Sequence, residues 1–350
     1  MKYGFGIIGI GMIANFHAKA IESMEKGKLV ACYSRSKEKA EKFAQQHNCK
    51  GYADLEAFLN DPELEIVTIC TPSGAHLEPA LKVAEAGKHA IIEKPLEITL
   101  ERCDRIIHAF KERKLLLGGV FQSRFYEASR ILKQAIENEK FGQLVLGDAY
   151  IKWFRSQEYY DEGGWKGTKA LDGGGALMNQ SIHAIDLLLW YMGDVESVQA
   201  YKGILGHERI EVEDTAVAAI HFKNGAMGVI EGSTAVYPGF LKRIEISGTK
   251  GSAILEEDHF NVWTFKEETP EDRRIREQFG EKSETEGGAS DPGAINFTGH
   301  LRQFENFVMA LEGKQPLAID GEEAKKSVEL ILAIYRSAET GSLVKLQELG

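Results

Sequence analysis

Three stretches of the chain combine residue types and spacings that could do chemistry. In the first, Gly9-x-Gly11-x-x-Ala14, an apolar run from Tyr3 to Ile8 gives way to a helix-like stretch starting at Met12. Gly9 there permits a tight turn, Gly11 lets the backbone approach a diphosphate, and Ala14 keeps the helix close to the strand. The first-turn N–H groups around Met12 and Ile13 would meet that anion together with the positive end of the helix dipole. A literal G-x-G-x-x-G also occurs at Gly4, Gly6 and Gly9, but it lies inside the strand, where no helix N-terminus is available. At the tip of the next apolar run, where a carboxylate would grip the ribose of NAD, the chain reads Tyr33-Ser34-Arg35-Ser36. With no acid there and an arginine beside it, a 2′-phosphate is tolerated, which tilts the expected NAD(P) cofactor toward NADP. The competing reading makes Arg35 a solvated residue at a helix start.

The second stretch is Glu93-Lys94-Pro95, which follows the apolar run ending at Ile92 and places a lysine at the carboxyl edge of a sheet, where ligands bind in doubly wound folds. An ordinary solvated lysine competes with that reading. Thr71, Pro72, Ser73 and His76 occupy the neighbouring edge and are expected, with Glu93 and Lys94, to line the cofactor. The third stretch runs from Asp172 through Gly173-Gly174-Gly175 to Asn179, His183 and Asp186. Three glycines before a helix would allow its first turn to approach a ligand. On that helix Asn179 and His183 are four apart and Asp186 is three beyond His183, so all three share one polar face. A buried histidine satisfied by Asp186 is the structural alternative. Gln122, Arg124, Arg155, Tyr159, Tyr160, Trp165 and Lys166 are further candidates for sugar hydroxyls or a carboxylate, for which an arginine fork is suited. Solvated loop residues are the competing reading there.

These residues need elements to position them. Up to about residue 120, apolar runs (3–8, 29–33, 66–70, 89–92, 115–120) alternate with amphipathic stretches (12–25, 36–47, 76–86, 99–113), the pattern of βα units on a parallel sheet. Beyond a helical segment at 125–138, period-two alternation takes over at 144–154 and 195–265. Asn224-Gly225 signals a type I′ hairpin between 215–222 and 226–234. Residues 267–293 read as a long surface loop, and Asp320 as the cap of a last helix ending before Gly341. The expected fold is α/β: a doubly wound domain over 1–121 and an α+β domain with a largely antiparallel open sheet over 122–350. No internal repeat is visible.

Composition narrows the function classes. With 350 residues, 43% hydrophobic and 27% charged, the chain can bury a sizeable core. Its net charge of −11 would repel a phosphate backbone, so nucleic acid is not an expected partner. No apolar run reaches the roughly 18 residues of a membrane span, and no leader precedes Tyr3, so a cytoplasmic protein is expected. Cys32, Cys49, Cys70 and Cys103 match neither a C-x-x-C pair nor a zinc knuckle and read as reduced structural thiols.

Taken together, Gly9-x-Gly11-x-x-Ala14, Cys70-Thr71-Pro72-Ser73 with His76, Glu93-Lys94-Pro95, Gly173-Gly174-Gly175 with His183 and Asp186, and Ser337-Ala338-Glu339-Thr340-Gly341 resemble the Gfo/Idh/MocA family of nicotinamide-dependent sugar oxidoreductases. Trp165-Lys166-Gly167-Thr168 through Asp172, with Met178-Asn179-Gln180, is most similar to the branch of UDP-sugar-acid 3-dehydrogenases. The resemblance implies a Rossmann domain, a second domain whose sheet supports a homo-dimer or homo-tetramer, a site between them, and a cis bond before Pro95. It also implies that Lys94 and His183 are the catalytic pair. His183 would take the hydroxyl proton and Lys94 would stabilise the alkoxide while hydride moves to or from the nicotinamide, with no metal. Several polyol dehydrogenases of the family carry an aspartate where this chain has Asn179, and an amide cannot take up a proton. The same resemblance leaves open an NAD-dependent glycosidase that works by transient oxidation, and a non-catalytic dinucleotide-binding regulator.

Overall fold

A computed structural model describes residues 2–280 and 297–349. The chain divides into two compact units, Met1–Gln122 with Phe297–Lys325, and Ser123–Asn296 with Lys326–Gly350. The first unit is therefore discontinuous in sequence, a feature that a single boundary after residue 121 leaves out.

The first unit alternates β1 (Tyr3–Ile8), α1 (Met12–Ser23), β2 (Gly27–Tyr33), α2 (Lys37–His47), β3 (Lys50–Tyr52), α3 (Leu55–Leu59), β4 (Ile66–Ile69), α4 (Leu77–Glu85), β5 (His89–Ile92), α5 (Leu100–Glu112) and β6 (Leu117–Gly119). All strand pairs are parallel, in the order β3-β2-β1-β4-β5-β6. The order reverses between β1 and β4, and outside that switch point open α/β sheets bind their ligands. Gly4 and Gly6 serve packing. A Cβ on Gly4 would lie 1.7 Å from the Glu63 carbonyl oxygen, and one on Gly6 would lie 2.6 Å from Phe58 and Leu64. The returning helix Thr298–Leu311 covers this sheet, burying Phe304 and Phe307 in the cluster of Phe5, Ile7, Ala18 and Ile21. Gly87 closes α4 at φ 69°, in the left-handed position expected of it.

The second unit contains α6 (Glu127–Glu137), β7 (Leu144–Lys152), α7 (Gln157–Asp161), α8 (Ile182–Met192), β8 (Val195–Gly203), β9 (Thr215–Phe222), β10 (Met227–Ser233), β11 (Arg243–Gly248), β12 (Gly251–Glu256), β13 (His259–Phe265) and α9 (Pro270–Phe279). α10 is the helix Thr298–Leu311 of the first unit; α11 (Gly321–Thr340) and β14 (Val344–Lys345) end the chain. The sheet order is β13-β12-β11-β7-β10-β9-β8-β14, antiparallel except for β10 against β7. One face is packed with Ala149, Ile151, Ala218, Ile220, Ile230, Ile244 and Ile246, as strand alternation requires.

Two expectations change here. The β9–β10 turn is not type I′. Gly225 is at φ 87° and donates its N–H to the Phe222 carbonyl, whereas Asn224 is not left-handed, so the loop is a type I turn closed by a glycine bulge. The expected loop from residue 267 contains α9, whose start carries a capping box, with Thr269 and Asp272 bonding each other's backbone N–H and a proline at the head of the helix. The remainder of that stretch, 281–293, lies outside the described residues. Asp320 caps α11 as expected, its Oδ1 accepting from the Glu323 N–H at 2.9 Å, and Gly341 follows at φ 65°.

Candidate active site

In the first unit β1 is followed by Gly9, whose φ of 90° is left-handed and whose added Cβ would lie 2.8 Å from the backbone of Cys70 and Thr71. Only glycine fits that position. Gly11 then stands at the N-cap of α1, with no side chain capping the helix and no acid in its first turn. A Cβ on Gly11 would meet nothing within 4 Å, so the space beyond it, next to the N–H groups of Met12 and Ile13, is open to a diphosphate. Ala14 is fully buried against the sheet. These observations fit a dinucleotide. At the β2 tip, Ser34 Oγ accepts the Ser36 N–H at 3.2 Å and Ser36 caps α2. Arg35 is exposed and in no ion pair among the described residues.

The adjacent edge is tied together by buried side chains. Thr71 Oγ1 donates to the Ala75 carbonyl, and Pro72 is half-buried beside buried Ser73. His76 is fully buried, with Nδ1 2.9 Å from the Pro95 carbonyl and Nε2 2.9 Å from the Thr71 carbonyl. Burial pushes its pKa down. The ring thus braces the ends of β4 and β5. Glu93 is also interior, with Oε1 2.7 Å from His17 Nε2 and Oε2 accepting the Lys94 N–H at 3.0 Å. Burial opposes the charge, yet His17 holds this carboxyl down to about 2. Conversely, against its own burial, Cys70 and Glu93 hold His17 up at about 10. The Lys94–Pro95 bond is cis. Among the described residues, His17, Glu93 and His300 bring three potential metal ligand atoms within 4.8 Å, but His17 and Glu93 already satisfy each other as an ion pair. All four cysteines are free.

In the second unit, residues 176–181 form a π-helical turn that leads into α8. That turn breaks the four-residue spacing assumed for one shared face of Asn179, His183 and Asp186. Asn179 Nδ2 donates to Asp172 at 2.5 Å, and Asp186 takes the Arg124 guanidinium on both oxygens. Arg124, expected to meet a substrate carboxylate, has its fork committed to Asp186. The glycine run also has another purpose. Gly173 is at φ 74°; a Cβ on Gly174 would lie 2.1 Å from the Tyr335 hydroxyl, and one on Gly175 would lie 2.0 Å from the Glu213 carbonyl. Glu213, not singled out in the sequence, accepts from the N–H groups of Gly175 and Leu177 and from the Tyr335 hydroxyl, and its burial raises its pKa. Gly174 and Gly175 thus admit neighbouring protein.

Beside it stands a polar, aromatic cluster. Arg155 is buried, donates to Gln180 Oε1 at 2.9 Å and lies 5.0 Å from the Trp153 ring and 5.6 Å from that of Tyr159. Lys166 Nζ lies 3.7 Å from the Tyr159 ring centre, and burial lowers its pKa. Gln180 Nε2 donates to the Tyr159 hydroxyl. The structure therefore gathers Arg155, Tyr159 and Lys166, and adds Gln180, which the sequence marks only as part of the Met178-Asn179-Gln180 motif and not as a site candidate. Tyr160 turns away to bond Thr234, and half-buried Trp165 uses its carbonyl to accept from Thr168. Gln122, in the first unit, is buried with its Oε1 lacking a partner among the described residues.

Comparison with known proteins agrees with this architecture. Residues 3–120 match the GFO/IDH/MocA oxidoreductase family with an NAD-binding Rossmann fold, and residues 129–254 match the GFO/IDH/MocA C-terminal domain. The chain is similar to the WlbA dehydrogenase of Bordetella pertussis, solved with NADH and UDP-GlcNAcA, at 32% identity and a TM-score of 0.87 over 99% of each chain. It is 28% identical to the myo-inositol 2-dehydrogenase of Thermotoga maritima over 98% of both chains. It is 26% identical to the D-glucoside 3-dehydrogenase of Escherichia coli over 97% of this chain and 96% of the other. No described helix is long and apolar enough to cross a membrane. With a parallel Rossmann sheet, an open N-terminus on α1 and full-length likeness to WlbA, this chain belongs to the GFO/IDH/MocA family of oxidoreductases.

Proposed function

We propose that the protein is an NAD(P)-dependent dehydrogenase or reductase acting on a secondary CH–OH of a sugar, with a nucleotide-sugar acid as the favoured substrate class. The observation that carries this reading is the open first turn of α1 past Gly11, on a sheet whose β5 edge carries Lys94. The bound nicotinamide supplies the hydride acceptor or donor. Lys94, as an ammonium, donates a hydrogen bond to the reacting oxygen and stabilises the developing alkoxide. His183 takes the hydroxyl proton, an imidazole being suited to proton transfer near neutral pH. Arg155 and Lys166, gathered around Tyr159, supply the positive charge that a sugar carboxylate needs. The complex of WlbA with UDP-GlcNAcA supports that substrate class.

The β2 tip carries no acid to repel a 2′-phosphate, which supports use of NADP as well as NAD, with Arg35 as the phosphate contact. The outer face of the second unit's sheet supports self-association. Met227 pairs with Leu146 and His221, Tyr201 pairs with Val217, and all but His221 are large, exposed apolar residues. A Met227→Glu change is expected to shift a dimer or tetramer to a smaller species in light scattering.

A panel of inositols, free sugars and UDP-sugar acids, followed at the absorbance of reduced nicotinamide, tests the activity. Net reduction of the cofactor with a UDP-sugar acid is expected. Cleavage of aryl glycosides without net reduction, or no turnover with any of them, would overturn the reading.

A further inference from the structure

We propose that His17 and His76 are positioning residues that hold Lys94 from both of its sequence neighbours. On one side, Glu93 spans His17 and Lys94. Its Oε1 is 2.7 Å from His17 Nε2, while Oε2 accepts the backbone N–H of Lys94 at 3.0 Å. On the other side, the Pro95 carbonyl is 2.9 Å from His76 Nδ1, whose other nitrogen faces the Thr71 carbonyl. Both imidazoles are fully buried, so neither link competes with water. Lys94 is thereby flanked by peptides anchored to two other elements, α1 and the turn leading into α4.

His17 gives the arrangement a further consequence. It sits on the same helix whose first turn opens onto the space past Gly11, so the diphosphate cradle and the Lys94 backbone are tied to one rigid element. Its second nitrogen lies 3.3 Å from Cys70 Sγ, and its ring packs edge-on against Phe304 and 5.4 Å from His300. His300 Nε2 lies 3.9 Å from Glu93, the ring's pKa is pushed down by burial and by the His17 charge, and its two nitrogens have no hydrogen-bond partner among the described residues. The titratable groups facing Glu93 are thus one cation, His17, the buried rings of His300 and His76, and Lys94 itself. The charge of Glu93 is balanced inside the fold, with its second oxygen committed to the Lys94 backbone.

This inference rests on the role proposed for Lys94, and its test separates the two. His17→Ala, His17→Gln and His76→Gln are compared with the parent enzyme for kcat, KM and NADH affinity. The acylation rate of Lys94 against pH is followed by peptide mass spectrometry, with exposed Lys82 as internal standard. Misplacement of a reacting group by about 1 Å costs on the order of 100-fold in rate. His17→Ala and His76→Gln are therefore expected to lower kcat by about 10- to 100-fold with KM and NADH affinity within about threefold. His17→Gln, which keeps a donor to Glu93, is expected to recover part of the loss, and the Lys94 acylation profile to move in all three. The acylation arm needs no substrate, so it decides the positioning claim even if the sugar reading fails. An unchanged Lys94 profile in folded His17→Gln and His76→Gln, or kcat within threefold of the parent in both, would overturn it.

Discussion

Arg124 and Asp186 meet fork to fork inside the second unit, with Nε 2.8 Å from Oδ2, Nη2 2.6 Å from Oδ1, and side chains only 5% and 1% exposed. The Trp190 ring, 5.4 Å from the guanidinium carbon, covers the pair. Asp186 is three residues beyond His183 on α8, so this ion pair fixes the helix that presents the histidine. Asp186 is accordingly an anchor for α8.

Taking one partner away strands the other charge in the interior. Asp186→Ala is expected to cost about 3–5 kcal/mol of unfolding free energy, and the double change Arg124→Met with Asp186→Leu to cost less than that single one. Urea denaturation of the three proteins checks the ordering. A single-mutant loss below about 1 kcal/mol would mean that the pair is solvated in solution.

The glycines divide into two kinds that substitution separates. Gly11→Ala adds a methyl to open space, so the melting temperature is expected to hold while NADH affinity falls by about tenfold, roughly 1.4 kcal/mol. Gly175→Ala drives a methyl to 2.0 Å from the Glu213 carbonyl and is expected to unfold the region whatever the ligand. Fluorescence titration with NADH and thermal melts together read out both.

That division shows where the sequence was legible. Periodicity and glycine chemistry located β1, β2, β4, β5 and β6, the α1 turn and the caps at Asp320 and Gly341, because each signal is local. β3 and α3 escaped, being three and five residues long and too short to show a period. α9 escaped because its composition is that of a loop, although Thr269-Pro270-Glu271-Asp272 is a capping signal. The purpose of Gly174 and Gly175 depends on Tyr335 and Glu213, some 160 and 38 residues away, and the π turn at 176–181 has no one-dimensional signature. Likewise nothing local announces that Glu93 would face His17, or Asp186 face Arg124.

Under the proposed chemistry, Lys94→Ala and His183→Ala are each expected to lower turnover by about 10²- to 10⁴-fold with NADH affinity within a few-fold of the parent. Single-turnover absorbance measurements check the first number and fluorescence titration the second. Near-parental turnover in both would remove these residues from the reaction.

Acid should destabilise the protein through buried carboxyls whose folded pKa is depressed, Glu93 and Asp272 among them. Glu93 and Asp272 are each held at about 2, against ordinary values of 4.5 and 3.8, despite burial that pushes the other way. His17 holds the first; Lys140, Thr269 and Trp263 hold the second. A carboxyl whose folded pKa is depressed binds fewer protons than in the unfolded chain, so its contribution is complete above its ordinary value and disappears as pH falls toward 2. His17 has the opposite sign: raised from 6.5 to about 10, it stabilises fully below 6.5 and loses that contribution as pH climbs to 10. These three groups together therefore predict maximal stability between about 4.5 and 6.5, with a fall on either side. Asp272→Asn is expected to lower stability at neutral pH and to flatten the acid limb, while His17→Gln flattens the alkaline one. Thermal melts from pH 3 to pH 9 resolve both limbs, and parallel curves for parent and variants would show that these groups titrate alike in the folded and unfolded chains.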